Sequence, residues 1–283
     1  IISERKTRQK KKNKTKWLHD IFLITHTLVI LLPLVWIVLT SFKSNPELMR
    51  NPYGLPERLL LSNYAEAWKT VDMPNLFKNS IFICSVSVIC IIFVSSMASY
   101  AFSRFTLKIN SYIYNFILIG MMIPLNAAII PLFINIRKLG LLNSYAGVII
   151  PYTAVYIPVS TFLITAYMKN IPNEVEEAAV IDGCGILKLF THIIIPLSKP
   201  IFATMSIIAF MNLWNEFLFA LVFLSGTKQR TIPIGIAAFK EQYFTNYTMM
   251  MAGTVMAIIP PILIYIVLRE HIIKGIAAGA VKG

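Results

Sequence analysis

Two groups of residues in this 283-residue chain have the type and spacing to do chemistry. The first centres on Glu216, the one carboxylate well inside an apolar run long enough to cross a bilayer, about residues 201–224. A charged side chain at the bilayer centre costs on the order of 2.5–3.5 kcal/mol, so this group must face protein or a water-filled cavity. Asn212 precedes it by four positions and Asn215 by one, which on a continuous helix puts Asn212 and Glu216 on one face with Asn215 flanking. Two roles fit. The face lines the path of a solute and offers acceptors and donors to hydroxyl groups, or Glu216 makes a structural hydrogen bond to a neighbouring subunit or a helix end. Phe210, Trp214 and Phe217 are of a type that stacks on rings, but aromatic residues on such a helix more commonly serve packing.

The second group is the acidic stretch Glu174, Glu176, Glu177 and Asp182, followed by Gly183, in a polar segment at 168–200. Asn173 with Glu176 three positions later has the capping-box pattern of a helix start, and acids in a first turn favour the positive end of the helix dipole. Gly183 marks the stop. A second short helix is expected from Ile186 to Ile195, ended by Pro196. On it Leu187, Phe190, Ile193, Ile194 and Leu197 recur at helical spacing and form one apolar face. Either this loop packs against its own bundle or it presents acid and apolar surface to a partner.

Other chemistry is not indicated. His19, His26, His192 and His271 are scattered without ligand spacing, and Cys84, Cys90 and Cys184 form no CxxC pair, so no metal site is expected. The nucleotide-binding pattern GxxxxGK[ST] is missing from the sequence, and no nucleophile–base pair stands out in the loops. The expectation is a non-catalytic chain that carries no cofactor of its own.

The elements that must position these groups follow from composition. The chain is 57% hydrophobic and 14% charged, with a mean hydropathy of +0.68, whereas soluble domains carry about 25% charged and about 45–50% apolar residues. A hydrocarbon core of about 30 Å takes about 20 helical residues. Six blocks qualify: 21–40, 80–102, 111–134, 145–167, 201–224 and 249–268. Their continuous apolarity excludes the alternation of barrel strands. Pro33, Pro124, Pro131, Pro151, Pro158, Pro260 and Pro261 fall inside the blocks and predict kinks. Tyr243, Phe244 and Tyr247 read as an interfacial belt, and Gly253 with Ala257 as a close-packing pair. The fold class is therefore an all-α integral membrane protein with six spans in a domain at 21–283.

Residues 1–20 form a basic tail, where much of the net charge of +13 lies. Directly before an apolar block such a run meets anionic lipid rather than nucleic acid. The first block is too long for a signal-peptide core and lacks a small-residue cleavage site, so it is read as a retained helix. With the tail inside, the inner segments hold 16 Lys and Arg and the outer ones 10, which places both termini and the 168–200 loop in the cytoplasm. The segment between the first two blocks reads as a polar outer loop.

Glu177-Ala178-Ala179, three residues, Gly183, nine residues, Ile193, one residue and Ile195-Pro196 together resemble the EAA motif of permeases from ATP-binding-cassette importers, with Ile195 where that motif expects Leu. Thr40-Ser41-Phe42-Lys43, Asn79-Ser80, Ala101-Phe102-Ser103-Arg104-Phe105, Lys138-Leu139-Gly140-Leu141, Trp214-Asn215-Glu216-Phe217 and Gly279-Ala280-Val281-Lys282-Gly283 resemble the smaller permease of the maltose-type carbohydrate uptake branch. The resemblance implies a type I importer permease fold in the bacterial inner membrane. It implies a homologous second permease, two ATPase subunits that bind ATP and Mg, and an external solute-binding protein. It assigns ATPase coupling to Glu176, Glu177, Ala178, Ala179, Asp182 and Gly183, and an ATPase-contacting tail to Ala280, Lys282 and Gly283. The expected cargo is a sugar or oligosaccharide. The alternatives are an importer for another solute or a secondary transporter, for which the lone Glu216 is thin support and against which the lack of an internal repeat argues.

Overall fold

The computed structural model describes the backbone of residues 2–105, 108–224, 226, 228–240 and 246–280, and among these the side chains of residue 17 and of residues 19 to 267. All regular structure among them is helical. The first four helices are α1 (Ile2–Ser41), α2 (Asn45–Arg50), α3 (Ser62–Thr70) and α4 (Met73–Arg104). Then come α5 (Lys108–Ile119), α6 (Leu125–Lys138), α7 (Tyr145–Met168), α8 (Asn173–Ile181), α9 (Ile186–Leu189) and α10 (Ile195–Leu197). The chain ends with α11 (Lys199–Trp214), α12 (Leu218–Phe223), α13 (Ile232–Ala237) and α14 (Tyr247–Ala280).

Four stretches are long and apolar enough to cross a membrane unbroken: His19–Ser41, Met73–Arg104, Tyr145–Met168 and Tyr247–Val267. Two bent pairs bring the number to six if each counts as one span: Lys108–Met122 with Leu125–Lys138, bent by 104°, and Ile186–Leu197 with Lys199–Trp214, bent by 70°. Prolines alone do not decide where helices break. Pro33, Pro131, Pro151, Pro158, Pro260 and Pro261 all lie within continuous helices. The expected helix at 111–134 does break, because Pro124 holds Ile123 extended (φ −76°, ψ 117°) after the tight turn Gly120–Met122.

Three further expectations need correction. The second span begins at Met73 rather than residue 80, with Pro74 in the first turn, where a missing N–H costs nothing. The outer segment before it is not plain loop, since it folds into α2 and α3. Pro196 does not end the helix after Gly183. A π turn at Phe190–Ile194 lets the Ile195 N–H reach the Phe190 carbonyl, and the widened turn accepts the proline ring, so the helix runs on to Leu197. That extra residue per turn also rotates the apolar face. Ile194 is fully buried, whereas Leu187 and Leu197 are exposed.

The chain divides into two compact units, and the division falls within α14. The first comprises Ile1–Thr70 and Phe239–Ala257. In it the end of α1 is tied to the segment after it by buried polar groups. The Asn63 amide donates to the Ser41 and Lys43 carbonyls, both at 2.8 Å, and Ser41 Oγ meets Tyr64 Oη at 2.6 Å. Lys43, 1% exposed, places its ammonium 2.8 Å from the Asn51 carbonyl. Ser44 caps α2. The 40–43 stretch is therefore the point at which this segment is tied to the end of α1. On α14, Ala252, Gly253 and Ala257 are buried, as the small-residue pair anticipates.

The second unit comprises Val71–Ala238 and Ile258–Gly283. Its spine is α4 packed along α7, with α11 against both. Ser87, Ser95 and Ser99 on α4 and Ser160 and Thr161 on α7 are buried, and Ser99 Oγ donates to the Thr161 carbonyl at 3.1 Å. Small side chains there allow close backbone approach. At one end of this spine an apolar core joins Tyr100, Ile164, Met168, Met205 and Ile201 of the long helices to Ile171, Ala179, Leu189 and Ile194 of the loop that follows α7.

Candidate functional site

The 168–200 loop has two faces with different surroundings. Its inward face is seated through Ala179 (7% exposed), Leu189 and Ile194 in the core just described. Glu176 also turns inward. Its carboxylate pairs with the Arg104 guanidinium from the last turn of α4, the two side chains being 13% and 11% exposed. Arg104 Nη2 donates in addition to the Ile171 carbonyl at 3.0 Å, and Tyr100 Oη lies 3.5 Å from Glu176 Oε2. This explains why the capping-box expectation fails. The residue before α8 is Pro172, Asn173 is already helical, and no side chain caps the turn. Glu176 is committed to Arg104 instead of to the backbone at its own helix start.

The outward face holds Glu177, Ala178, Asp182 and Gly183, all exposed. Gly183 stands at φ +81°, and its N–H and that of Cys184 close on the carbonyls of Val180 and Ala179 at 3.0 and 2.9 Å. That is a Schellman stop, which a Cβ would strain even with open space around it. Val180 (59% exposed), Ile181 (85%) and Ile186 (60%) stand beside the acids. A cavity of about 510 Å³ opens there, lined by Tyr100, Arg104, Phe105, Glu176, Glu177, Val180, Ile181, Cys184, Ile186 and Leu189. The loop thus does both things its sequence allowed: it packs on its own bundle and leaves acid and apolar surface uncovered.

The Glu216 group is rearranged relative to the expected continuous helix. α11 ends at Trp214, and Asn215 (φ −91°, ψ −2°) turns the chain before α12. The helical register linking Asn212 to Glu216 therefore stops short of Glu216. Glu216 instead accepts from the N–H groups of Phe219 (2.8 Å) and Ala220 (3.1 Å) at the start of α12, and from Tyr152 Oη of α7 at 2.5 Å. A carboxylate at a helix start satisfies otherwise orphaned donors. Asn212 and Asn215 are exposed, and each amide nitrogen donates to the carbonyl four residues earlier, Ile208 and Met211, at 2.7 Å. Trp214 is 3% exposed and stacks on Phe210 with ring centroids 5.5 Å apart, which is packing.

Arg104, Tyr100 and Tyr152 were not singled out by sequence, apart from Arg104 as part of a matching stretch. A lone basic residue at the end of an apolar block is a usable signal for Arg104. Tyr152, in the middle of one, carries none. Of the tail residues Ala280, Lys282 and Gly283, the last two lie outside the described residues, as do Tyr243 and Phe244, and only the backbone of Ala280 is described.

Residues 91–277 match the family described as the binding-protein-dependent transport system inner membrane component. An ABC transporter permease protein, ORF2, of Caldicellulosiruptor sp. strain Rt8B.4 is 40% identical over 276 residues, spanning 96% of this chain and 98% of that protein. The arabinooligosaccharides transport system permease protein of Halalkalibacterium halodurans is 35% identical over 271 residues, spanning 94% and 96%. In three dimensions the chain is similar to a chain of a bacterial ABC transporter involved in the import of the acidic polysaccharide alginate, with a TM-score of 0.78, 25% identity, and 89% and 94% of the two chains covered. With the helical architecture and the seated loop, these matches lead to one conclusion: the chain belongs to the binding-protein-dependent transport system inner membrane component family and is a permease subunit of an ABC importer.

Proposed function

We propose that this permease carries a sugar or oligosaccharide and forms half of a translocation path with a homologous second permease. Two relatives support the cargo class by their own, arabinooligosaccharides and alginate. Solute is delivered by an external binding protein. Two ATPase subunits on the cytoplasmic side bind ATP and Mg and hydrolyse the nucleotide, so this chain does no chemistry itself. The excess of Lys and Arg in the inner segments supports cytoplasmic termini and a cytoplasmic 168–200 loop. Asn212 and Asn215, exposed beside the break between α11 and α12, are the polar groups offered to the solute.

The observation that carries the reading is the two-faced loop. Its inner residues are held by the bundle, while Glu177, Ala178, Ile181, Asp182 and Gly183 remain uncovered and form the ATPase docking surface. Glu177 meets a basic group of the ATPase there. Truncating one partner of a charge pair in such an interface costs about 2–5 kcal/mol. Glu177→Ala and Gly183→Val, the latter by strain at a left-handed backbone position, are expected to leave the permease inserted and paired with its sister. Co-purification of the ATPase in nanodiscs and solute uptake should fall together. Normal ATPase binding and uptake in both variants would remove the loop from the docking surface.

A further inference from the structure

We infer that the Arg104–Glu176 pair is the latch through which movement of the docking helix α8 reaches the α4–α7 spine. The inference rests on the reading of the 168–200 loop as the ATPase docking element, and concerns what lies beneath that surface.

The observations are specific to these two residues. The described residues contain one other ion pair, Arg50–Glu57, whose side chains are 69% and 65% exposed, so it is solvated and weak. Arg104 and Glu176 are 11% and 13% exposed and lie 72 positions apart in sequence. Arg104 is the last residue of α4, and Glu176 lies in the first turn of α8. The same guanidinium holds the Ile171 carbonyl at 3.0 Å, in the connection from α7 to α8. One side chain on α4 therefore grips both α8 and the chain leading into it. A partly buried ion pair whose guanidinium also holds a backbone carbonyl is directional, unlike the apolar contacts of Ala179, Leu189 and Ile194 around it. Apolar contacts let α8 slide against the bundle while staying buried. The Arg104 fork does not, because a small displacement breaks a charge pair and a carbonyl contact that hold only in one geometry.

The consequence is a division of labour between adjacent glutamates. Glu177 faces the partner, and Glu176 faces Arg104 as a positioning residue. Since the apolar seat holds the loop without the pair, removing the pair should loosen transmission and leave the loop in place.

The test uses the assembled importer in proteoliposomes. Arg104→Gln alone leaves the partly buried Glu176 carboxylate without its cation, so the double variant Arg104→Gln/Glu176→Gln, which keeps a neutral hydrogen-bonding pair, is the decisive one. Its ATPase co-purification and melting temperature are expected to match wild type, while solute transported per ATP hydrolysed falls about tenfold, in the range typical of coupling between sites. Arg104→Lys, which keeps the charge and loses the fork, should fall between. An unchanged transport-to-hydrolysis ratio in the double variant would overturn the latch and leave the docking surface intact. Loss of ATPase co-purification in the double variant would overturn it too, by making Arg104 and Glu176 part of the docking surface. Failure of the docking reading shows separately, in Glu177→Ala.

Discussion

Glu216 accepts hydrogen bonds from two backbone N–H groups of α12 and from Tyr152 of α7, so its carboxylate is spoken for within this chain. Replacing it with Leu leaves three donors unpaired in a poorly hydrated region, at a cost of about 3 kcal/mol. Glu216→Gln keeps one acceptor toward the helix start and should cost about 1 kcal/mol. Tyr152→Phe removes a single donor, also about 1 kcal/mol. The melting temperature of the purified importer is expected to rank wild type above Tyr152→Phe and Glu216→Gln, with Glu216→Leu lowest and recovered in poor yield. Glu216→Leu with wild-type stability and abolished transport would instead place the carboxylate on the solute. The sequence made Glu216 conspicuous because a carboxylate in an apolar run demands a partner. It did not reveal the partner, since Tyr152 is 64 positions away in a run of similar residues. Glu176 carries the same lesson. Its spacing from Asn173 suggested a local cap, and a long-range partner, Arg104, took it instead.

Among the elements, the long helices were legible from apolar length, and the two-helix loop from its acids and Gly183. Of the breaks, only the one at Pro124 was. The end of α11 at Trp214 has no proline or glycine to announce it, and Pro196 announces an end that a π turn removes. Asn79-Ser80 stood out only by resemblance, and its role is also long-range. Asn79, fully buried, donates to the Lys228 and Arg230 carbonyls at 2.8 and 2.9 Å and accepts from Tyr145 Oη at 2.8 Å, while Ser80 Oγ accepts the Ile232 N–H at 2.9 Å. These bonds fix the chain entering α13 against α4. Asn79→Leu should cost about 2 kcal/mol by stranding the Arg230 carbonyl and the Tyr145 hydroxyl, since the Lys228 carbonyl keeps the Asn75 amide at 2.7 Å. Asn79→Asp should be worse, because a carboxylate oxygen then opposes the two carbonyls. The melting temperatures of the two variants check this order. A tolerated Asp would mean that the Arg230 carbonyl finds another donor, as the Lys228 carbonyl already has in Asn75.

For the whole molecule, the run of membrane-length helices and the family match describe a membrane subunit of an importer, and the uncovered loop is the surface proposed here for a partner that hydrolyses nucleotide. Of that proposal the energy source is the most testable part. An importer of this kind needs ATP inside and a loaded binding protein outside, and is indifferent to ion gradients. The most direct measurement is uptake of a labelled oligosaccharide by proteoliposomes holding this permease, its sister subunit and the ATPase. Uptake is expected only with ATP enclosed and binding protein added, unchanged when proton and sodium gradients are collapsed, and lost in Glu177→Ala. Uptake driven by an ion gradient through the permeases without the ATPase would contradict the account.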